Sequence, residues 1–245
     1  MYVNFNGHVE ECSSLHEYVP LNFRKPSCTM DSNRIQEDNY MSFVGMVICE
    51  DGVLTFGDTR SSKKDELGNF VFVKGREAKK VFSGNDFLLC TWGTNQYHDF
   101  YGRMIPIENL ISKLVETAID PIDFLDAFAN QVSQNPEDRQ MEYCFCIGAK
   151  DSYGWYVRPC FVQNGRIGLL PKRRDHYAVY GNRFFTNNFR LTEKLTIHEE
   201  MTVLQQEIQC LMDKAERIGT YNPVSFPFYY IYMNTNGRHK EKSVN

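Results

Sequence analysis

The stretch SFVGMVICEDGVLTFGDTR, Ser42–Arg60, decides the fold. Two apolar runs, about Ser42–Cys49 and Val53–Gly57, flank Glu50-Asp51-Gly52. Asp-Gly between such runs is a strong short-range signal for a β-hairpin. Immediately upstream the character is different: residues 1 to about 40 are polar and carry no sustained periodicity. The break falls at Met41, so 1–41 reads as an N-terminal extension and 42–245 as one domain.

Working outward, Ser61–Asn69 reads as a polar loop, FVFVKG as a short β-prone piece, and KKVFSGNDFLLCTWG as a second hairpin turning at Gly84-Asn85-Asp86. Thr91-Trp92-Gly93 then opens a helical stretch. Ile107, Leu110, Ile111, Leu114, Val115 and Ala118 lie on one helical face. Asp120-Pro121 marks the next helix as N-cap and first position, with Phe124, Leu125, Phe128, Ala129 and Val132 on its stripe. Strands return in MEYCFCIGA, GWYVRPCFV, RIGLL and HYAVYG, the second and third joined by Asn164-Gly165. A T-x-x-E capping box at Thr196–Glu199 starts the longest helix, which runs to about Arg217 with Ile197, Met201, Leu204, Ile208, Leu211 and Ala215 on one stripe. The strand FPFYYIYM, an Asn236-Gly237 turn and a basic tail close the chain. Hairpins dominate and helices come in blocks, so the class is α+β with mostly antiparallel sheets.

Composition narrows the function. The 245 residues carry 27 basic and 31 acidic side chains, and the net charge of −4 argues against a dedicated nucleic-acid binder. The one basic cluster, Lys172-Arg173-Arg174, is followed by Asp175 and reads as a solvated loop. No window approaches the roughly 18 apolar residues of a membrane span, and MYVNFNGHVEEC has neither the basic nor the apolar region of a secretory signal. The eight cysteines form no C-x-x-C pair, and Cys144 and Cys146 alternate within an apolar run, as buried thiols do. No dinucleotide fingerprint, phosphate loop, G-x-S-x-G elbow or H-E-x-x-H is present. A reduced, cytoplasmic protein without metal or cofactor is the expectation.

What remains is a spacing: Ser42, Asp58-Thr59-Arg60, Lys79-Lys80, and Thr91-Trp92-Gly93. Over Ser42–Gly93 this resembles the N-terminal nucleophile (Ntn) hydrolases of the proteasome β-subunit type. That family has a nucleophile opening a strand, a small-residue-plus-D-G hairpin, a D-[ST]-R triplet, a K-[VI] start of the next hairpin and a glycine before the first helix. Counting back from Asp51-Gly52 without a gap sets Ser42 at the family's N-terminal threonine. Beyond Gly93 the resemblance, which extends to residue 245, is one of element order.

The resemblance implies a four-layer αββα sandwich and an amide-bond hydrolase of the peptidase type. Ser42 Oγ would attack the scissile carbonyl. Its freed α-amine, with a pKa near ~7.7–8.0, would serve as base. Lys80 would lie beside the nucleophile, Asp58 would hold Lys80, and Arg60 would be structural. The Gly93 N–H would donate to the oxyanion, a contribution of about 3 kcal/mol in comparable sites. Trp92 and Ser61 fall at the substrate pocket, where the indole would narrow the space. A peptide or amide substrate and a homo-oligomer, in the family a ring, are implied; the sequence names no ATPase partner. Without the resemblance, Asp58 and Lys80 read as an ordinary surface pair and Ser42 as an ordinary strand residue.

Departures leave two other readings open, a non-catalytic ring or assembly subunit and a small-molecule amidase. The family's D-x-x-S-G-G stretch is missing from TYNPVSFPFYY, Tyr180 replaces the serine of a G-S-G turn, and one residue is deleted before Gly93. The nucleophile must also be the first residue, and 41 precede it. Three routes are compatible: autocatalytic cleavage at Met41-Ser42, translation starting at Met41 followed by methionine removal, or retention of the segment in an inactive chain. For the second, Gln36-Glu37-Asp38 can be encoded by a purine run like a bacterial ribosome-binding site. Against the third, residues 1–40 lack the α-type pattern of an early Tyr-Asp and a later G-R-L-x-Q-V-E-Y-A.

Overall fold

Central strands buried on both faces and helices buried along one stripe give four layers. The computed structural model describes residues 42–64, 70–219, 224 and 227–242, and the backbone of 2–3 and 9–10. The rest of the expected extension, including Met41, Cys12 and Cys28, lies outside the described residues, as does most of the TYNPVSF segment. Tyr2–Val3 and Val9–Glu10 form a two-residue antiparallel ladder.

The first sheet begins with β1 (Phe43–Ile48) and β2 (Gly52–Asp58), joined by the expected Asp-Gly turn. A small hairpin follows, β3 (Arg60–Lys64) with β4 (Phe70–Glu77). Next come β5 (Val81–Ser83), β6 (Phe87–Gly93) and a second small hairpin, β7 (Gln96–His98) with β8 (Met104–Pro106). Helices α1 (Ile107–Thr117), α2 (Pro121–Val132) and α3 (Pro136–Gln140) lead into β9 (Tyr143–Asp151), β10 (Gly154–Gln163) and β11 (Arg166–Leu169). The chain then runs through β12 (Tyr177–Gly181), α4 (Arg183–Asn188), α5 (Ile197–Arg217), β13 (Phe228–Asn234) and β14 (Gly237–Lys242). One five-stranded antiparallel sheet has the order β12-β1-β2-β13-β14, the other β11-β10-β9-β6-β5.

Alternation along β1 shows how the layers form. Phe43 and Val47 face α5, packing with Leu204, Ile208 and Leu211, whereas Val44 and Met46 face the opposite sheet and meet Cys90 and Cys146. Helices α1 and α2 cover the outer face of the second sheet through Ile111, Phe124, Leu125 and Phe128 against Phe87, Leu89 and Phe145. The result is an αββα sandwich, as the family resemblance implied. Local signals act as read. Asp120 accepts from the N–H groups of Ile122 and Asp123 at 2.7 and 2.9 Å, and the Glu199 carboxylate reaches back to Thr196 N at 3.2 Å. Asn164 and Gly165 take φ of 54° and 69°, the geometry a two-residue hairpin turn demands.

Three expectations are corrected. Arg60–Lys64, expected within a polar loop from Ser61, is a strand paired with Phe70–Glu77; the remainder of that loop, 65–69, lies outside the described residues. Thr91-Trp92-Gly93 does not open a helix but finishes β6, and helix α1 starts only at Ile107. The segment between is the β7–β8 hairpin, whose tip closes when Asp99 Oδ1 accepts from Tyr101 and Arg103 N–H groups, both at 2.9 Å, with Gly102 at φ 72°. The basic tail is not a tail: Gly237–Lys242 pairs with β13 as an edge strand, because the Asn-Gly turn returns the chain along its partner. The basic cluster at 172–174 is exposed, as expected of a solvated loop, and its charges are paired. Arg174 and Lys172 both pair with Asp151, at 2.7 and 3.0 Å, and Arg173 pairs with Asp175.

Candidate active site

Asp58 ends β2 and is completely buried, a position that demands partners for both oxygens. It has them. Oδ1 accepts from the Phe43 N–H at 2.7 Å, while Oδ2 accepts from Lys80 Nζ at 2.8 Å and from the Arg60 N–H at 3.0 Å. Lys80 stands just before β5 and is 8% exposed. Its carbonyl accepts from the Thr91 N–H at 3.0 Å, which ties it to the end of β6. The reading of Asp58 and Lys80 as an ordinary surface pair does not survive this burial.

Burial pulls the Lys80 ammonium below the ordinary lysine range, opposed by the adjoining carboxylate. Burial also pushes Asp58 up, opposed first by Lys80 and then by the two N–H groups. Three donors converge on the Asp58 carboxylate, one of them the Lys80 ammonium, so the charged pair is the state this geometry fits. A lysine softened in this way, beside a strand opening, is equipped to take up or pass on a proton near that opening.

Ser42 immediately precedes β1 and is half-buried. Its carbonyl accepts from the Asn182 N–H at 2.7 Å, and the next N–H, of Phe43, is the donor to Asp58. The Ser42–Phe43 peptide is therefore held at both its oxygen and its nitrogen. Two glycines permit this approach. Gly181 has φ of 109°, and a Cβ there would lie 1.8 Å from the Ser42 oxygen. A Cβ on Gly57 would lie 3.3 Å from Lys80 Cβ and 3.2 Å from Val81 Cγ1, crowding the lysine stem.

Of the expected site residues, Asp58, Lys80 and the backbone of Ser42 are brought into one bonded group. Gly93 terminates β6 at φ 87°, opposite Tyr143, two residues beyond the Thr91–Lys80 tie. Ser61 is buried where the register of β3 slips between Arg60 and Ser62. Among the described residues, neither Gly93 nor Ser61 hydrogen-bonds to Ser42, Asp58 or Lys80. Trp92 lies with its ring stacked on Tyr180, centroids 4.2 Å apart and planes 8° from parallel. Arg60 contributes its backbone N–H, consistent with a structural part.

Sequence reasoning missed Gly57, Gly181 and Asn182. The signal for the last two was a Gly-Asn pair closing a strand, since Asn182 also caps α4 by accepting from Phe184 N at 3.0 Å. Its backbone contact to Ser42 carries no such mark. Among the described residues no group of three or more His, Cys, Asp or Glu side chains is placed to hold a metal ion. No helix there is long and apolar enough to cross a membrane.

No protein-family model matches the chain, and no curated protein matches it by sequence. Among solved structures, it is similar to the Anbu (Gly-1) mutant from Hyphomicrobium sp. strain MC1. The identity is 12%, the TM-score 0.50, and the match covers 82% of this chain and 86% of that one. At that identity the likeness concerns the fold. Together with the two packed sheets and their outer helices, it identifies the chain as a proteasome-like αββα sandwich.

Proposed function

We propose that the chain is an amide-bond hydrolase of the peptidase type, acting through Ser42 as an N-terminal nucleophile. The observation that carries this reading is the buried Asp58–Lys80 pair bonded directly to the Ser42–Phe43 peptide. A buried ion pair contributes little net stability. One attached to the opening residue of a strand is better accounted for by chemistry at that residue. On this reading residues 42–245 are the working domain and 1–41 an extension that must be absent from the active chain. The α-amine of Ser42 takes the Oγ proton as Oγ attacks the carbonyl, and returns it to the leaving amine. The Lys80 charge favours the neutral amine, and the Gly93 N–H faces the developing oxyanion. Water then hydrolyses the acyl ester. A cytoplasmic homo-oligomer, in the manner of the family resembled, completes the reading.

The test starts from the full chain carrying a site-specific protease sequence that ends at residue 41. The protein is folded intact, cut, and treated with a β-lactone. Intact mass and peptide mapping should place one adduct on Ser42, absent from Ser42→Ala and from uncut protein. A cut chain that retains cooperative unfolding yet acquires no adduct refutes the proposal.

A further inference from the structure

We infer that the Trp92–Tyr180 stack closes the side-chain space beside Ser42 and restricts the site to acyl groups that bear no bulky substituent. This rests on the reading of Ser42 as nucleophile and adds its substrate class. Alternation along β1 sends Phe43 to the helix side and Val44 to the space between the sheets, so Ser42 shares the inner face with Val44. Tyr180 is paired with Val44 in the neighbouring strand and shares that face. From the other sheet, Leu88 and Cys90 point inward, and Trp92 continues the same row at the end of β6.

The two rings thus meet across the gap between the sheets at the end where β1 begins. They lie face to face at 4.2 Å, and both are half-buried and packed on the inter-sheet core. Behind them the space is already filled. The Tyr180 hydroxyl is buried beside the Cys146 thiol, itself opposite Cys90 in the adjoining strand. A substituent branching from the acyl carbon next to the attacked carbonyl would have to displace a ring from this stack. An unbranched acyl group would not. Protein packing of this density yields poorly to extra methylenes.

The test compares two lactones on the protease-cut full chain: β-propiolactone, and a β-lactone carrying a benzyl group on the carbon next to the carbonyl. In each case Ser42 Oγ forms an ester with the carbonyl carbon as the ring C–O bond breaks. The Oγ proton passes through the α-amine to the released alkoxide, which becomes a hydroxyl. The small lactone should label Ser42 at least ~10-fold faster than the benzyl lactone, the scale on which a hydrophobic site discriminates by size. Trp92→Ala should reduce that ratio to about 2-fold, and Trp92→Leu serves if the alanine variant does not fold. Tyr180→Phe, which keeps the stack and removes the hydroxyl, should retain the full ratio. Equal labelling of the unsubstituted chain by both lactones overturns the inference, as does a ratio unchanged in a folded Trp92 variant. No adduct with either lactone instead refutes Ser42 as nucleophile, and the inference falls with it.

Discussion

Replacing Asp58 by alanine strands three buried donors at once. The Phe43 and Arg60 N–H groups and the Lys80 ammonium all lose their acceptor, in a place where Asp58 is wholly buried and the Lys80 side chain is 10% exposed. An uncompensated buried charge costs about 3–5 kcal/mol and each orphaned N–H about 1–3 kcal/mol. Water entering the vacated space offsets part of this, so Asp58→Ala should lose about 5 kcal/mol. Lys80→Met leaves a carboxylate that keeps two donors, at a cost of about 3 kcal/mol. In the double variant no unpaired charge remains. Its loss should be about 3 kcal/mol, from the two orphaned N–H groups, against roughly 8 for independent sites, a coupling of about 5 kcal/mol. Urea unfolding of the four proteins at neutral pH measures this. Asp58→Asn replaces the alanine if the single variant uses up the roughly 5–15 kcal/mol a domain possesses. A double variant whose loss equals the sum of the singles within about 0.5 kcal/mol would show that the two groups do not act as a unit. The account of the site would then be wrong.

Three further outcomes follow from the same contacts. Gly181→Ala should destabilise by about 2–4 kcal/mol and abolish Ser42 labelling, since its Cβ would sit 1.8 Å from the Ser42 oxygen at a φ of 109°; a melting temperature within a degree of the unsubstituted chain refutes the clamp. The hydrogen bond that the His98 ring donates to the Asp138 carboxylate raises the histidine above its ordinary 6.5, so this contact strengthens the β7–β8 hairpin fully below pH 6.5 and fades as pH rises through the folded value. An NMR titration should find a His98 midpoint above 6.5 that Asp138→Asn brings back down, and a midpoint at or below 6.5 removes the argument. Around Asp151, burial is outweighed by Arg174 and Lys172, and the carboxyl falls to about 2, so its contribution is present above 3.8 and disappears as pH drops toward 2. Solvent screening leaves that contribution at about 1 kcal/mol, and Asp151→Asn should flatten this part of the acid-unfolding curve.

Much of the fold was readable because its signals are local. Asp51-Gly52, Asp120-Pro121 and Thr196–Glu199 each act within four residues, and the helix stripes repeat over two turns or more. Short elements escaped. The three-residue strands β7 and β8 are too brief to show a period, and α3, although opened by Asn135-Pro136, lasts five residues. Strand β14 was hidden because its charged sequence says nothing of the pairing that the turn before it imposes. At the site, Asp58 and Lys80 were singled out only because their spacing resembles that of a known family. Their burial was not legible, since it depends on both sheets closing over them. The Ser42–Asn182 bond joins backbone to backbone across the whole chain, and such contacts leave no imprint on residue choice except the glycine that makes room. Trp92 was noticed as bulky, whereas its alignment with Tyr180 required knowing that β6 and β12 face each other across the sandwich.

The clamp on the Ser42–Phe43 peptide has one more consequence. Both holding bonds come from residues that follow Ser42 in the chain, Asn182 to its carbonyl and Asp58 to the next N–H. The address of Ser42 in space is thus written downstream. Whatever happens to the bond on its other side alters what the residue can do without changing where it stands. If Ser42 acts as proposed, location and reactivity are separately controlled: folding supplies the first, and a single peptide bond governs the second.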